Sequence, residues 1–147
     1  MLFRSFGRRR ISRSVGDAPP ESVIERYQGK RFNAPNDLSI DPVGRIWFSD
    51  PKYLGDEPRE LDHRSVFRVD PDGSLHLAIT QPLVQKPNGV EVSADGRTLY
   101  VADTSDEAGA GPDGKPKPPS KLLLAFAVGP DGAIGERRVL ADFGREG

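Results

Sequence analysis

The chain has 147 residues, enough for one ordinary domain, with 35% hydrophobic residues, 29% charged residues and a formal net charge of −1. The near-neutral charge gives no reason to expect a nucleic-acid partner, and no apolar run approaches the length of a membrane span. There is no cysteine, which excludes disulfides and thiolate metal sites; fourteen prolines and sixteen glycines fit many turns and disfavour long helices.

The N-terminus places Arg4, Arg8, Arg9, Arg10 and Arg13 ahead of the first acid, Asp17. This superficially resembles a transit peptide, but Met1-Leu2-Phe3-Arg4-Ser5-Phe6 is too short for a targeting helix. No apolar core follows, so a secretory signal is not supported. Residues 1–7 are expected to be a disordered or non-native start, produced by truncation or gene calling. The compartment is left open, with the cytoplasm favoured.

Residues 10–13 read as a short strand, Asp17-Ala18-Pro19-Pro20 as a turn, and 22–27 as a second strand. Leu38-Ser39-Ile40-Asp41 alternates as a half-buried strand does. Asp41-Pro42-Val43-Gly44 is a turn, and Ile46-Trp47-Phe48-Ser49 is rich in β formers, so the three make a hairpin. A polar connection over 52–64 leads to strands at 65–69 and 75–79, joined by Asp70-Pro71-Asp72-Gly73. Strands at 90–92 and 99–102 flank Ala94-Asp95-Gly96-Arg97. The stretch 109–120 is Gly-, Pro- and Lys-rich and reads as exposed loop. Leu122 to Val128 is a strongly apolar strand, and Gly129-Pro130-Asp131-Gly132 turns it into a last strand running to Ala141.

Two stretches repeat. Pro35-Asn36-Asp37-Leu38-Ser39-Ile40-Asp41, then Gly44-Arg45 and Ile46-Trp47-Phe48-Ser49-Asp50, is matched by Pro87-Asn88-Gly89-Val90-Glu91-Val92-Ser93, then Gly96-Arg97 and Leu99-Tyr100-Val101-Ala102-Asp103. The copies start 52 residues apart. Four short strands per unit of roughly 40–50 residues mark a β-propeller blade. The fold class is therefore all-β, a β-propeller. A sandwich with coincidental turns is the weaker reading, because the Pro-Asn, Gly-Arg and final Asp positions all match. Residues 8–34 would end an early blade, 35–86 form the next, and 87–147 form another with an exposed loop at 104–120. A propeller closes with about four to eight blades, and this chain holds two to three. Such an open arc leaves sheet edges unpaired and is expected to be a marginal monomer or to self-associate.

Loops at one end of a propeller channel converge, so Asn36 and Asn88 at the same place in successive units can share a site. An amide oxygen is a hard, neutral ligand suited to Ca²⁺ or Mg²⁺ beside carboxylates. Asn equally serves turns, because it tolerates the left-handed region. The motif alone leaves both readings open.

Gly29-Lys30-Arg31-Phe32-Asn33-Ala34-Pro35-Asn36-Asp37, Trp47-Phe48-Ser49-Asp50-Pro51-Lys52-Tyr53-Leu54-Gly55, and Lys86-Pro87-Asn88-Gly89-Val90 with Leu99-Tyr100-Val101-Ala102-Asp103-Thr104 resemble the senescence-marker-protein/gluconolactonase/regucalcin-like family. Arg9-Arg10-Ile11-Ser12-Arg13 resembles the segment that precedes those motifs in its bacterial members. The resemblance implies a six-bladed propeller that hydrolyses lactones with one divalent metal, commonly calcium, in its channel. It implies that Asn88 is a metal ligand and that Asn36 contacts substrate and, in related hydrolases, the metal. Arg31 and Tyr53 are implied as substrate-binding residues, Arg31 by a loose alignment and Tyr53 from the entrance segment 50–60. A family Glu ligand would lie upstream of Arg8. A family Asp, both ligand and general base, would lie beyond Gly147, so no catalytic residue is assigned within the chain. Pro130-Asp131-Gly132 reads as an ordinary hairpin turn.

Among the other residues, His76 reads as surface or packing, and His63, near the entrance, as a minor catalytic candidate. Trp47 reads as core. Asp50 and Asp103 end equivalent strands and either cap turns or line the channel. Lys115-Pro116-Lys117-Pro118-Pro119 reads as a solvated loop. The leading expectation is a fragment of a metal-dependent lactone hydrolase acting on a small-molecule lactone. The alternatives are a non-catalytic propeller scaffold or inactive remnant, and a phosphotriester-cleaving propeller. Two neutral amides supply no negative charge, so the chain alone is expected to bind calcium weakly and not to turn over lactones.

Overall fold

A computed structural model describes residues 2–5, 8–53, 55–105, 109–110, 116–117 and 119–144. No helix occurs among the described residues, and none is long and apolar enough to cross a membrane. Strands β1 (Leu2–Ser5), β2 (Arg10–Arg13) and β3 (Glu21–Ile24) form a three-stranded sheet in that order. A small ribbon follows from β4 (Arg26–Tyr27) and β5 (Lys30–Arg31). Then come β6 (Leu38–Ile40), β7 (Ile46–Asp50), β8 (Ser65–Val69) and β9 (Leu75–Ile79), a four-stranded antiparallel meander. The rest is β10 (Pro87–Val92), β11 (Thr98–Ser105), β12 (Gly109–Ala110), β13 (Pro116–Lys117), β14 (Ser120–Val128) and β15 (Ile134–Asp142). Here β10-β11-β14-β15 is a second four-stranded sheet, and β12 and β13 pair between β11 and β14.

The sequence repeat is a repeat of register. Leu38 pairs with Phe48 across β6 and β7, and Val90 pairs with Val101 across β10 and β11. Both hairpins turn at a glycine with positive φ, 89° at Gly44 and 71° at Gly96, where a side chain would be strained. Gly44 N–H donates to Asp41 O at 3.0 Å, and Gly96 N–H to Ser93 O at 2.8 Å.

The blades stack through their inner strands. Neighbouring residues on a strand face opposite ways, so Trp47 joins one core and Phe48 another. Trp47 packs with Val66, Ile79, Val90, Val92, Leu99, Val101, Leu124 and Phe126, a core shared by both four-stranded sheets. Phe48 packs with Ile11, Phe32, Leu61, Phe67 and Val69 on the opposite face, where the first sheet lies. Every residue of β8 is buried, as expected for a strand covered on both faces.

Three boundaries differ from those read in the sequence. The strand expected over 22–27 is split, because Gln28 and Gly29 take positive φ (50° and 79°) and fold 26–27 back onto 30–31 as a separate hairpin. The start is not wholly unstructured: Leu2–Ser5 pairs in register with Arg10–Arg13, whereas residues 1, 6 and 7 lie outside the described residues. The loop expected from 104 begins later, because Thr104 and Ser105 extend β11 by pairing with Lys121 and Ser120. Most of 106–118, including Lys115 and Pro118, lies outside the described residues.

Candidate functional site

Asn36 and Asn88 meet at the end of the inner strands. Asn36 lies just before β6, and its N–H donates to Ser49 O at 2.9 Å. Asn88 lies in β10. Neither residue has positive φ, so neither occupies the left-handed conformation that would explain an asparagine by turn geometry. The blades are stitched here by polar side chains. The buried Ser49 hydroxyl donates to Asn88 O at 2.5 Å and accepts from Asp37 N–H at 3.2 Å. Asp37 Oδ2 accepts from Val90 N–H at 3.1 Å, and Ser39 Oγ accepts from Val92 N–H at 3.1 Å. With this ladder in place, Asn36 Nδ2 donates directly to Asn88 Oδ1.

Tyr53 crosses to the same rim from the connection after β7. Its hydroxyl is 2.7 Å from Thr104 Oγ1 on β11, and Lys86 Nζ sits 4.7 Å from the centre of its ring. Asn88 Nδ2 also reaches Thr104 Oγ1, at 3.4 Å. Thr104, Ser49 and Lys86 are therefore part of the cluster, although the sequence reading gave them no role. Their signal was membership of the quoted motifs, within two residues of a repeated Asn or of Asp50 or Asp103.

Arg31 is placed elsewhere. Its N–H donates to Glu60 Oε2 at 2.8 Å, which holds that carboxyl below its ordinary range. Its side chain lines a shallow depression with Arg8, Arg10, Glu25 and Arg26, to which neither Asn contributes. His63 Nδ1 lies 2.7 Å from Ser65 Oγ, and the ring packs edge-on against Tyr27. Burial holds this imidazole below its usual value. His76 is on the surface, 3.0 Å from Asp70 Oδ2, and Trp47 is fully buried.

Asp50 and Asp103 act as caps. Asp50 Oδ2 and Oδ1 accept from Asn33 N–H (2.8 Å) and Ala34 N–H (2.7 Å). Asp103 accepts from Gln85 N–H (3.0 Å) and Lys86 N–H (2.7 Å). Burial raises the Asp50 carboxyl to about 6, against the pull of those two N–H donors and of Arg9.

Chemically, the rim gathers two amides, a threonine hydroxyl, a phenol and the Lys86 ammonium. The amide oxygens are donors of the type hard divalent cations take. They bring no formal negative charge, and the described residues contain no group of three or more His, Cys, Asp or Glu that could hold a metal. The two amides could act only as neutral ligands, and Asn88 Oδ1 already accepts from Asn36 Nδ2.

A family model described as the SMP-30/gluconolactonase/LRE-like region matches residues 15–147. A gluconolactonase of Zymomonas mobilis is 33% identical over 129 residues, covering 84% of this chain and 32% of that protein. A 6-deoxy-6-sulfogluconolactonase of Pseudomonas putida is 26% identical over 125 residues, covering 85% of this chain and 36% of that protein. In solved structures, a gluconolactonase from Xanthomonas campestris superposes with a TM-score of 0.76 at 36% identity, over 94% of this chain and 43% of that one. A luciferin-regenerating enzyme superposes with a TM-score of 0.63 at 17% identity, over 95% of this chain and 41% of that one; this likeness is one of fold alone. The chain spans about a third of the length of these curated relatives.

Proposed function

The chain belongs to the SMP-30/gluconolactonase/LRE-like family, and from that premise we propose that it supplies the neutral half of a divalent-metal site in a lactone-hydrolysing β-propeller. The observation that carries the reading is the direct contact of Asn36 with Asn88, the same residue of two successive blades. The names of the relatives support lactone hydrolysis as the reaction class.

In this proposal Asn36 and Asn88 turn their amide oxygens toward a calcium-type cation. When bound, that cation would polarise the lactone carbonyl as a Lewis acid. With that turn the bond from Asn36 Nδ2 to Asn88 Oδ1 would open, and Nδ2 would be released to donate to the substrate. Tyr53, held against Thr104 and Lys86, would close one side of the approach and keep the lactone over the asparagines. The amides carry no charge, so tight cation binding and activation of water need carboxylates other than these residues. The same neutrality favours the second reading, a non-catalytic binding scaffold, for any form in which those carboxylates are lacking.

The test is a chimera in which this chain replaces the matching segment of the Xanthomonas campestris gluconolactonase. It should hydrolyse gluconolactone in a calcium-dependent way and lose that activity on Asn88→Ala. A folded chimera equally active with both asparagines replaced by alanine contradicts the reading.

A further inference from the structure

Asp50, which ends β7, and Asp103, inside β11, do the same job one repeat apart. Asp50 grips the N–H groups of Asn33 and Ala34, three and two residues before Asn36. Asp103 grips those of Gln85 and Lys86, three and two residues before Asn88. A proline, Pro35 or Pro87, lies between the gripped pair and the asparagine. Proline has no N–H to offer and fixes its own φ. The carboxylate thus holds the last two amides before the proline, and the proline removes the next soft torsion. The torsions left between the gripped peptide and the asparagine side chain are the proline ψ and those of the asparagine itself.

We propose that Asp50 and Asp103 are paired positioning residues that aim Asn36 and Asn88 at one point. This rests on the reading of the asparagines as a ligand pair. Both carboxylates are buried, Asp50 fully and Asp103 to 2% exposure. A buried carboxylate is costly to keep ionised, and burial raises the Asp50 carboxyl to about 6. The strand register of β6 with β7 and of β10 with β11 already ties these segments together through the backbone. The clamps add a fixed direction for the asparagine side chains.

The test compares wild type with Asp50→Asn and Asp103→Asn, each of which keeps the shape but trades one acceptor oxygen for a donor. Asp95→Asn is the control, since Asp95 sits in an exposed turn of the second blade, accepting from Arg97 N–H at 3.0 Å. The readout is the NMR signal of the Asn36 Nδ2 protons, displaced in wild type by donation to Asn88. Either clamp variant should move that proton to the position of a free amide, while the turn amides of Gly44 and Gly96 stay unchanged; Asp95→Asn should leave it in place. An unchanged Asn36 signal in folded clamp variants overturns the proposal, as does an equal loss of signal across all three. Should Asp103→Asn not fold, Asp103→Glu keeps both acceptor oxygens on a longer stem. It should shift the Asn36 signal only partly, and a folded Asp103→Glu with an unshifted signal overturns the proposal. Adding calcium to the same wild-type sample tests the ligand reading separately: failure of both asparagine signals to respond would sink that reading without touching the clamp result.

Discussion

Asn36 donates its side-chain amide to Asn88 Oδ1, across the seam between two blades. Fifty-two residues separate the pair in sequence. The tight turns of their hairpins lie at the other ends of the strands, at Gly44 and Gly96, so the asparagines are not spent on reversing the chain. What brings them together is the ladder of Ser49, Asp37 and Ser39 between β6, β7 and β10.

Ser49 is the rung that touches both sides. Ser49→Ala removes two hydroxyl bonds, one given to Asn88 O and one accepted from Asp37 N–H, in a part-buried setting. The expected loss is about 1–3 kcal/mol of unfolding free energy, from two hydrogen bonds each worth about 0.5–1.5 kcal/mol. Urea denaturation measures it, and a change below about 0.5 kcal/mol would show that the hydroxyl bonds are dispensable.

Tyr53 ties its connecting loop to the next blade by its hydroxyl, which lies 2.7 Å from Thr104 Oγ1. Tyr53→Phe keeps the ring under Lys86 and removes the hydroxyl's contacts with Thr104 and with Lys86 O. Global stability should fall by no more than about 1 kcal/mol, the net worth of a typical hydrogen bond. Amide exchange over 51–60 should accelerate far more than exchange in β8. Equal acceleration in both segments would contradict a local role for the phenol.

The buried Asp50 makes stability depend on pH in the direction opposite to an ordinary paired carboxylate. Its folded value is raised from 3.8 to about 6. The native state therefore binds the proton more tightly than the unfolded chain does. This stabilisation is fully present below about pH 3.8 and is lost as pH rises through about 6, a change of up to about 3 kcal/mol for a shift of this size. Asp70, whose carboxyl Arg68 holds low, works the other way and loses stabilisation as pH falls. Subtracting the Asp50→Asn curve from wild type isolates the Asp50 contribution, and the difference should decline between pH 4 and 7. A flat difference, or one that rises, would contradict the assignment.

Much of the fold was legible because local chemistry and tertiary need agreed. Strands 65–69 and 75–79 sit where alternation and the Asp70-Pro71-Asp72-Gly73 turn put them. The repeat gave the blades, because Gly44 and Gly96 mark the same turn and Trp47 and Tyr100 the same inner strand. Long-range pairing was not legible. Thr104 and Ser105 look like the start of a polar loop until Lys121 and Ser120 pair with them. The site was read in the same uneven way. Asn36, Asn88 and Tyr53 announced themselves by motif and meet at one rim. Thr104, read as loop, joins the site only because Tyr53 reaches it, and the choice between cap and channel for Asp50 and Asp103 needed the positions of the backbone N–H groups.

An NMR titration of the chain with calcium, following the side-chain amide signals of Asn36 and Asn88, tests most directly whether the two asparagines share one cation. If the pair is the neutral half of a cation site, both signals should move together, with a midpoint of about 1 mM or weaker, as expected for few and uncharged oxygen ligands. Signals that stay still up to roughly 100 mM calcium, that move with separate midpoints, or that saturate at micromolar calcium would contradict it.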